Sequence, residues 1–387
     1  MKQTESHQQI SDRLGDRKKS SRFRSLNSIS EKPDAAKLLL DGELYINFSS
    51  NDYLGLSADP LLIERSKNYT ERFGTGAASS RLITGTLDIH TKLEEKLASL
   101  YQRDRVLLYN TGFQANSTIL PAITGKVDRI LADKKCHNSI LTGCIASHAK
   151  WSRFRHNDLN QLEHLLKKEN EQDNGNTWIV TESIFSMDGD SAPLHDIISL
   201  SKKYGSKLYV DDAHGIGVFG KTGLGCTEGL DEIDLIVGTF GKSAGAFGAF
   251  VACSSLIADA LINFSNGFIY TTALPPAVVG AIDAAYDRIP AMGKERTHLL
   301  ELCRYANDSL QKNGFETGGS TSQIIPVITG NDKKTLELSK WLHQNKIFAA
   351  AIRPPTVPEG ESKIRCTITA IHTREEIDLL LKMIQNG

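Results

Sequence analysis

Long apolar runs are missing from this 387-residue chain. No stretch approaches the roughly 20 consecutive apolar residues that cross a bilayer, so no membrane segment is expected. The first stretch, MKQTESHQQISDRLGDRKKS, has no apolar core, and no secretory signal is expected there. An excess of one charge is missing too. Its 45 basic and 46 acidic side chains leave a net charge of −1. That balance provides no electrostatic footprint for nucleic acid or an anionic membrane. Short basic runs such as Arg17-Lys18-Lys19 are accounted for by a solvated surface. The six cysteines, at 136, 144, 226, 253, 303 and 366, form no C-x-x-C pair. Neither a zinc site nor a disulfide framework is expected, and no other metal is called for. These absences point to a globular protein of the cytoplasm, long enough for a large domain plus a smaller one.

What the chain does have is an alternation that begins near residue 104. RVLLY (105–109), DRILAD (128–133), KWSRFR (150–155), TWIVTES (177–183), KLYVDDAHG (207–215) and DLIVGTFG (234–241) are strand-like. Between them lie helix-like segments at 112–123, 138–147, 158–170 and 194–205. Short β-rich runs alternating with amphipathic helices predict an α/β fold: a mostly parallel central sheet with flanking helices and right-handed crossovers. From about 280 the pattern changes. Long helical stretches (276–313) precede QIIPVI (323–328), a helix at 332–345, KIRCTITA (363–370) and a last helix, which predicts a smaller α+β domain. The expected division is a polar N-terminal helical arm (1–48), a large α/β domain (49–280) and a small C-terminal domain (281–387). In open parallel sheets, ligands bind beyond the carboxyl ends of the strands. Five groups sit there: Asn110 to Phe113, Asp133 to His137, Ser183 to Ser186, Asp211 to His214, and Thr239 to Lys242.

The last group belongs to GTFGKSAGAFGA (238–249), which admits three interpretations. A phosphate-binding P-loop needs glycine at 236, where Ile236 stands, and no helix-forming run follows the lysine. A G-x-S-x-G nucleophile elbow centred on Ser243 needs a helix next, yet a glycine-rich, then strand-like, segment follows. GIGVFG (215–220) fits G-x-G-x-x-G but leads into KTGLGCTEG, too glycine-rich to open a helix. The third interpretation makes Lys242 a reactive amine, the glycines leaving room for a group bound to it. Desolvation at the end of an interior strand lowers an amine's pKa and frees it to attack an aldehyde. Pyridoxal phosphate (PLP) is the aldehyde cofactor that uses such a lysine.

Three further features agree with PLP. Asp211 ends an apolar strand and is placed to keep a pyridine nitrogen protonated, while Asp212 points to the other face. A helix starting at Thr111-Gly112-Phe113 offers N–H donors to a phosphate, and Thr239 and Ser186 add hydroxyls. His137 and His214 are candidates for a ring-stacking face and a partner of the phenolic oxygen.

These residues lie in segments that identify a resemblance. NFSSNDYLGL, SSRLITGT, YNTGFQAN, DKKCHNSI, TESIFSMDGDSAPL, VDDAHGIGVFG and TFGKSAGAFGA are similar to the α-oxoamine synthases, from about residue 44 onward. These are fold-type I PLP enzymes that condense an amino acid with an acyl thioester and release CO2. The resemblance implies that Lys242 is the lysine that binds PLP, that Asp211 pairs with the pyridine nitrogen and that His214 bonds the phenolic oxygen. It implies that His137 stacks on the ring and that Gly112, Phe113, Ser186 and Thr239 surround the phosphate. Thr272 would reach the phosphate of the neighbouring subunit of a homodimer. Arg365 would hold the amino-acid carboxylate, with Asn51 lining the same pocket, and Arg22 or Arg24 would lie near the acyl chain. AIRPPTVPEG (351–360) with KIRCTITAIHT resembles the branch that joins L-alanine to pimeloyl-CoA or pimeloyl-acyl carrier protein. The rival within the family is a glycine C-acetyltransferase-like or α-aminoketone-forming acyltransferase.

Overall fold

A computed structural model describes residues 5–170 and 175–387. Fourteen strands are found among them. In chain order these are β1 Glu31–Asp34, β2 Lys37–Leu40, β3 Glu43–Asn47, β4 Arg105–Tyr109, β5 Arg129–Asp133, β6 Lys150–Phe154 and β7 Thr177–Glu182. Then come β8 Lys207–Asp211, β9 Leu235–Thr239, β10 Ala249–Cys253, β11 Ile324–Gly330, β12 Ile347–Phe348, β13 Ala350–Ile352 and β14 Ser362–Thr367. By its internal contacts the chain forms two units. One comprises residues up to Ser50, Met187–Gly189 and Glu301–Gly387; the other comprises Asn51–Ser186 and Asp190–Leu300.

The larger unit is built on a seven-stranded sheet of order β4-β10-β9-β8-β7-β5-β6. β5, β6, β7, β8 and β9 pair in parallel, and β10 is antiparallel to both β9 and β4. Six strands therefore run one way and β10 alone runs back, so the sheet is mixed but mostly parallel. The inner strands are apolar on both faces, as a sheet covered by helices on each side requires. Leu107, Ile130, Val180, Tyr209, Leu235 and Val251 join Ala115, Ile119 and Leu120 of the helix Gly112–Ile123 in one core. The helix Asn138–Ala146 lies so close to that helix that a Cβ on Gly143 would meet the Asn116 carbonyl oxygen at 2.3 Å. A glycine is required there for the two helices to approach.

The smaller unit holds two sheets, β1-β2-β3-β12 and β11-β14-β13. The sequence pattern predicted a helical arm over 1–48, and here the structure differs. Its first four residues lie outside the described ones, Glu5–Lys19 is helical, and three strands occupy 31–47. The physical reason is a tight hairpin. Asp41 and Gly42, both with positive φ (52° and 77°), join β2 to β3 between apolar runs. The helical stretches expected over 276–313 are the two helices Pro276–Arg288 and Gly293–Lys312, separated at Ile289-Pro290-Ala291. No described helix is long and apolar enough to cross a membrane.

Candidate active site

With six strands running one way, the loops after β4, β5, β7, β8 and β9 emerge at one edge of the sheet. Asp211, the last residue of β8, is 7% exposed. Its Oδ2 accepts from Asn116 Nδ2 at 2.7 Å and its Oδ1 from the Ala213 N–H at 3.0 Å. The second proton of Asn116 Nδ2 goes to Ser139 Oγ at 3.0 Å, and Asn116 Oδ1 accepts from the Tyr209 hydroxyl at 2.5 Å. Ser139 Oγ lies 2.7 Å from His137 Nδ1, and the Ser139 N–H also points at that nitrogen at 3.3 Å. Nδ1 is thus the acceptor and the ring proton sits on Nε2. Tyr209, Asn116, Asp211, Ser139 and His137 form one connected network in which the Asn116 amide is fully used.

The main-chain N–H of His137 is held at 2.5 Å by Glu182 Oε1, at the end of β7. Burial and the Asp211 charge push the Glu182 carboxyl well above the usual range, against the pull of Lys242. Desolvation keeps the His137 imidazole below its ordinary value; Asp211 raises it and the Lys242 ammonium lowers it. His137, Glu182, Asp211 and Lys242 therefore share one electrostatic neighbourhood, and His137 is neutral near pH 7.

Lys242 stands in the tight connection from β9 to β10. The N–H of Gly245 bonds to its carbonyl at 2.9 Å, and Phe240 and Ala246 close the turn. Gly245, at φ 61°, would drive a Cβ to 2.3 Å from the Ser57 nitrogen. This glycine makes room for the chain at Leu56–Ser57, whereas at Gly241, beside Lys242, a Cβ would meet nothing nearer than Thr239 Oγ1 at 3.7 Å. Ser243 is 1% exposed and its hydroxyl has no hydrogen-bond partner among the described residues. A sealed hydroxyl without a base excludes the nucleophile elbow. The GIGVFG segment leads through further turns rather than into a helix, which excludes the dinucleotide motif.

His214, 6% exposed, has its Nδ1 2.6 Å from the hydroxyl of the fully buried Tyr53, which lies 3.3 Å from Asn51 Oδ1. Thr239 Oγ1 donates to the Gly248 carbonyl at 3.0 Å. Thr111 caps the helix at Gly112–Ile123 by accepting from Gln114 N, leaving the first-turn N–H groups of Gly112 and Phe113 without intrahelical acceptors. The space in front of Gly112 is open: its nearest neighbour from a Cβ position would be Thr239 at 4.0 Å. Ser186 is buried in the loop after β7. The exposed Thr272 has its carbonyl held by Asn110 Nδ2 at 2.9 Å, beyond β4.

Arg22 and Arg365 belong to the smaller unit. Arg365 is 8% exposed on β14, with Nη1 donating to Thr367 Oγ1 at 3.0 Å. Arg22 pairs with Asp332 at 2.9 Å and Glu359 at 2.6 Å, whereas Arg24 bonds Thr356 Oγ1 at 2.8 Å. With Arg353, both line a cavity of about 150 Å³. Asn116, Ser139, Glu182 and Tyr53 escaped the sequence reading. Tyr53 lies within the NDYLGL motif, and Asn116 stands one helical turn after Gly112, so both had a positional signal.

The profile of the family "Aminotransferase class I and II" matches residues 43–384. A high-resolution structure of SPT with PLP as its internal aldimine superposes with a TM-score of 0.91 at 29% identity, covering 98% of this chain and 97% of that one. Fold and site together define a fold-type I, PLP-dependent transferase. The 8-amino-7-oxononanoate synthase of Gluconacetobacter diazotrophicus is 43% identical over 354 residues, covering 90% of this chain and 89% of that protein. The crystal structure of the Francisella tularensis enzyme of that name has a TM-score of 0.76 at 28% identity, over 88% of this chain and 97% of that one. The chain belongs to the class I and II aminotransferase family and, within it, to the family of the 8-amino-7-oxononanoate synthases.

The donor set fits PLP. It contains an amine at a strand end, a buried carboxylate anchored at both oxygens, open space before a helix N-terminus, and a neutral imidazole beside them.

Proposed function

We propose that the protein condenses L-alanine with a pimeloyl thioester, of CoA or of acyl carrier protein, giving 8-amino-7-oxononanoate, CO2 and the free thiol, in biotin biosynthesis. The observation that carries it is the Asp211 carboxylate, buried at the carboxyl edge of the sheet and fixed by Asn116 and Ala213 in the same field as Lys242. When bound, PLP supplies the electron sink that makes removal of the amino acid's Cα proton feasible. Lys242 would hold the cofactor, and its amine would be the group that carries that proton. Asp211, with its oxygens held by Asn116 and the Ala213 N–H, would keep a positive charge on the ring nitrogen. His137 offers a neutral ring face, with Nε2–H as a donor. His214, backed by Tyr53, would bond the phenolic oxygen. Gly112, Phe113, Ser186 and Thr239 receive the phosphate.

Arg365 would fix the alanine carboxylate, for which the guanidinium fork is suited to bidentate pairing. Arg22, with Arg24 and Arg353, suits an anionic end of the acyl substrate. The same reading makes the enzyme a cytoplasmic homodimer in which Thr272 serves the phosphate of the partner's site. The exposed Leu82, Ile83 and Tyr270, beside the Ser80–Thr272 bridge, supply apolar surface for that contact.

The test is product identification by mass spectrometry. PLP-loaded protein is given L-alanine, glycine or L-serine with pimeloyl-CoA, pimeloyl-acyl carrier protein or acetyl-CoA. The expected result is 8-amino-7-oxononanoate from alanine and a pimeloyl donor. Preferential use of glycine with acetyl-CoA would move the assignment to the glycine acetyltransferase branch.

A further inference from the structure

A second group of charged side chains lies just behind the site, and none of the steps above uses it. Asp133, the last residue of β5, is fully buried. Its Oδ1 accepts from the Lys135 N–H at 2.8 Å and lies 2.9 Å from His156 Nδ1; its Oδ2 accepts from the Asn157 N–H at 2.9 Å. The other ring nitrogen of His156, Nε2, lies 2.6 Å from Asp190 Oδ2. Asn157 Nδ2 reaches the same oxygen at 3.1 Å and the Ser191 carbonyl at 3.1 Å. Both imidazole nitrogens thus face carboxylate oxygens. Only a doubly protonated ring can donate to both. The charged groups facing the ring are Asp133 from the end of β5 and Asp190 from the loop after β7; Phe185 packs edge-on at 4.4 Å.

The two carboxylates belong to the two loops that matter. Asp133 starts the turn that ends at His137, with the Cys136 N–H on the Asp133 carbonyl. Asp190 closes the loop that carries Ser186: Phe185 N–H bonds the Asp190 carbonyl, and Ala192 N–H the Ser183 carbonyl. His156 itself stands on the chain leaving β6. Three successive strand-end loops meet at one ring.

We propose that His156 is a positioning residue: as an imidazolium gripped by Asp133 and Asp190, it locks the loop bearing His137 to the loop bearing Ser186 and so sets both for the cofactor. This rests on the PLP roles given above for His137 and Ser186. Desolvation of the ring opposes its charge, but hydrogen bonds to Asp133 and Asp190 outweigh that and push its pKa up to about 9. The folded value exceeds the ordinary 6.5, so the stabilisation is complete below pH 6.5 and lost as pH rises through about 9.

The test compares the wild-type chain with His156→Gln and Asp190→Asn. Imidazole NMR titration of the cofactor-free protein is expected to show His156 with a midpoint near 9, moving down in Asp190→Asn. The dissociation constant for PLP is then measured by equilibrium dialysis from pH 7 to pH 10. Each variant is expected to bind PLP roughly tenfold more weakly at pH 7, the scale of losing a group that orients a ligand-binding loop. The ratio of variant to wild type should fall toward one above pH 9. A midpoint near 6.5, an unchanged affinity, or a ratio flat across that range overturns the proposal. A purely structural role lowers the melting temperature without making the ratio depend on pH. If His156→Gln does not fold, Asp190→Asn and the wild-type titration decide the matter. A wild-type chain that binds no PLP refutes the proposed function instead.

Discussion

Asp211 and Asp212 are neighbours in sequence and opposites in situation. Asp211 faces the cleft, where one polar network fixes it and leaves it next to Lys242 and His137. Asp212 is wholly buried on the other side, with its main-chain N–H still on the Val237 carbonyl. Its oxygens are taken by Ser183 Oγ at 2.5 Å, the Thr227 N–H at 2.8 Å and Thr227 Oγ1 at 2.7 Å. Burial, only partly offset by those donors, pushes its carboxyl up to about 6. One carboxylate is held in the cleft, where the proposed chemistry would use it; the other ties the glycine-rich 215–227 segment to the sheet. The strand's alternation of faces assigns the two tasks.

That contrast predicts that changes at Lys242 and Asp211 remove activity while sparing the fold, and that changes at Asp212 alter stability while sparing activity. The largest effect belongs to Lys242→Ala: turnover should vanish with the melting temperature near wild type. Next, Asp211→Asn should lower kcat by roughly 10²–10³-fold or more, whereas Asp212→Asn should leave kcat close to wild type. Equal losses in both would break the comparison.

Asp212 also predicts a pH effect. Its folded pKa lies above the unfolded 3.8, so ionisation costs the fold stability as pH rises from about 4 to about 6. Between pH 4 and pH 7, denaturant melts should shift in favour of Asp212→Asn relative to wild type by about 2 kcal/mol. Asn116→Ala, which strands Tyr209, Ser139 and Asp211 at once, should cost about 1–3 kcal/mol of stability and some activity. The smallest effect is expected from Tyr53→Phe. Losing one hydrogen bond to His214 is worth about 1 kcal/mol, or about fivefold in kcat/KM.

Much of this arrangement was legible beforehand. The strands from β4 to β9 could be bounded because short apolar runs end at Gly, Asn or Asp, and Asp211 and Lys242 stood out because both end such runs. The hairpin at Asp41-Gly42 was obscured by the charged composition around it, although Asp-Gly between apolar runs is a hairpin signal. Asn116 was hidden because a lone amide on a mostly apolar helix reads as solvent-facing. It is 2% exposed and its partners are 23, 93 and 95 residues away. The partners of His156 lie 23 and 34 residues away on separate loops. No local pattern encodes such meetings; the parallel sheet brings them together.

The most direct test is chemical. Protein reconstituted with PLP is reduced with borohydride, digested and mapped by mass spectrometry. The expected result is a phosphopyridoxyl group on Lys242 and on no other lysine. An unlabelled chain, or a label carried elsewhere, would contradict it.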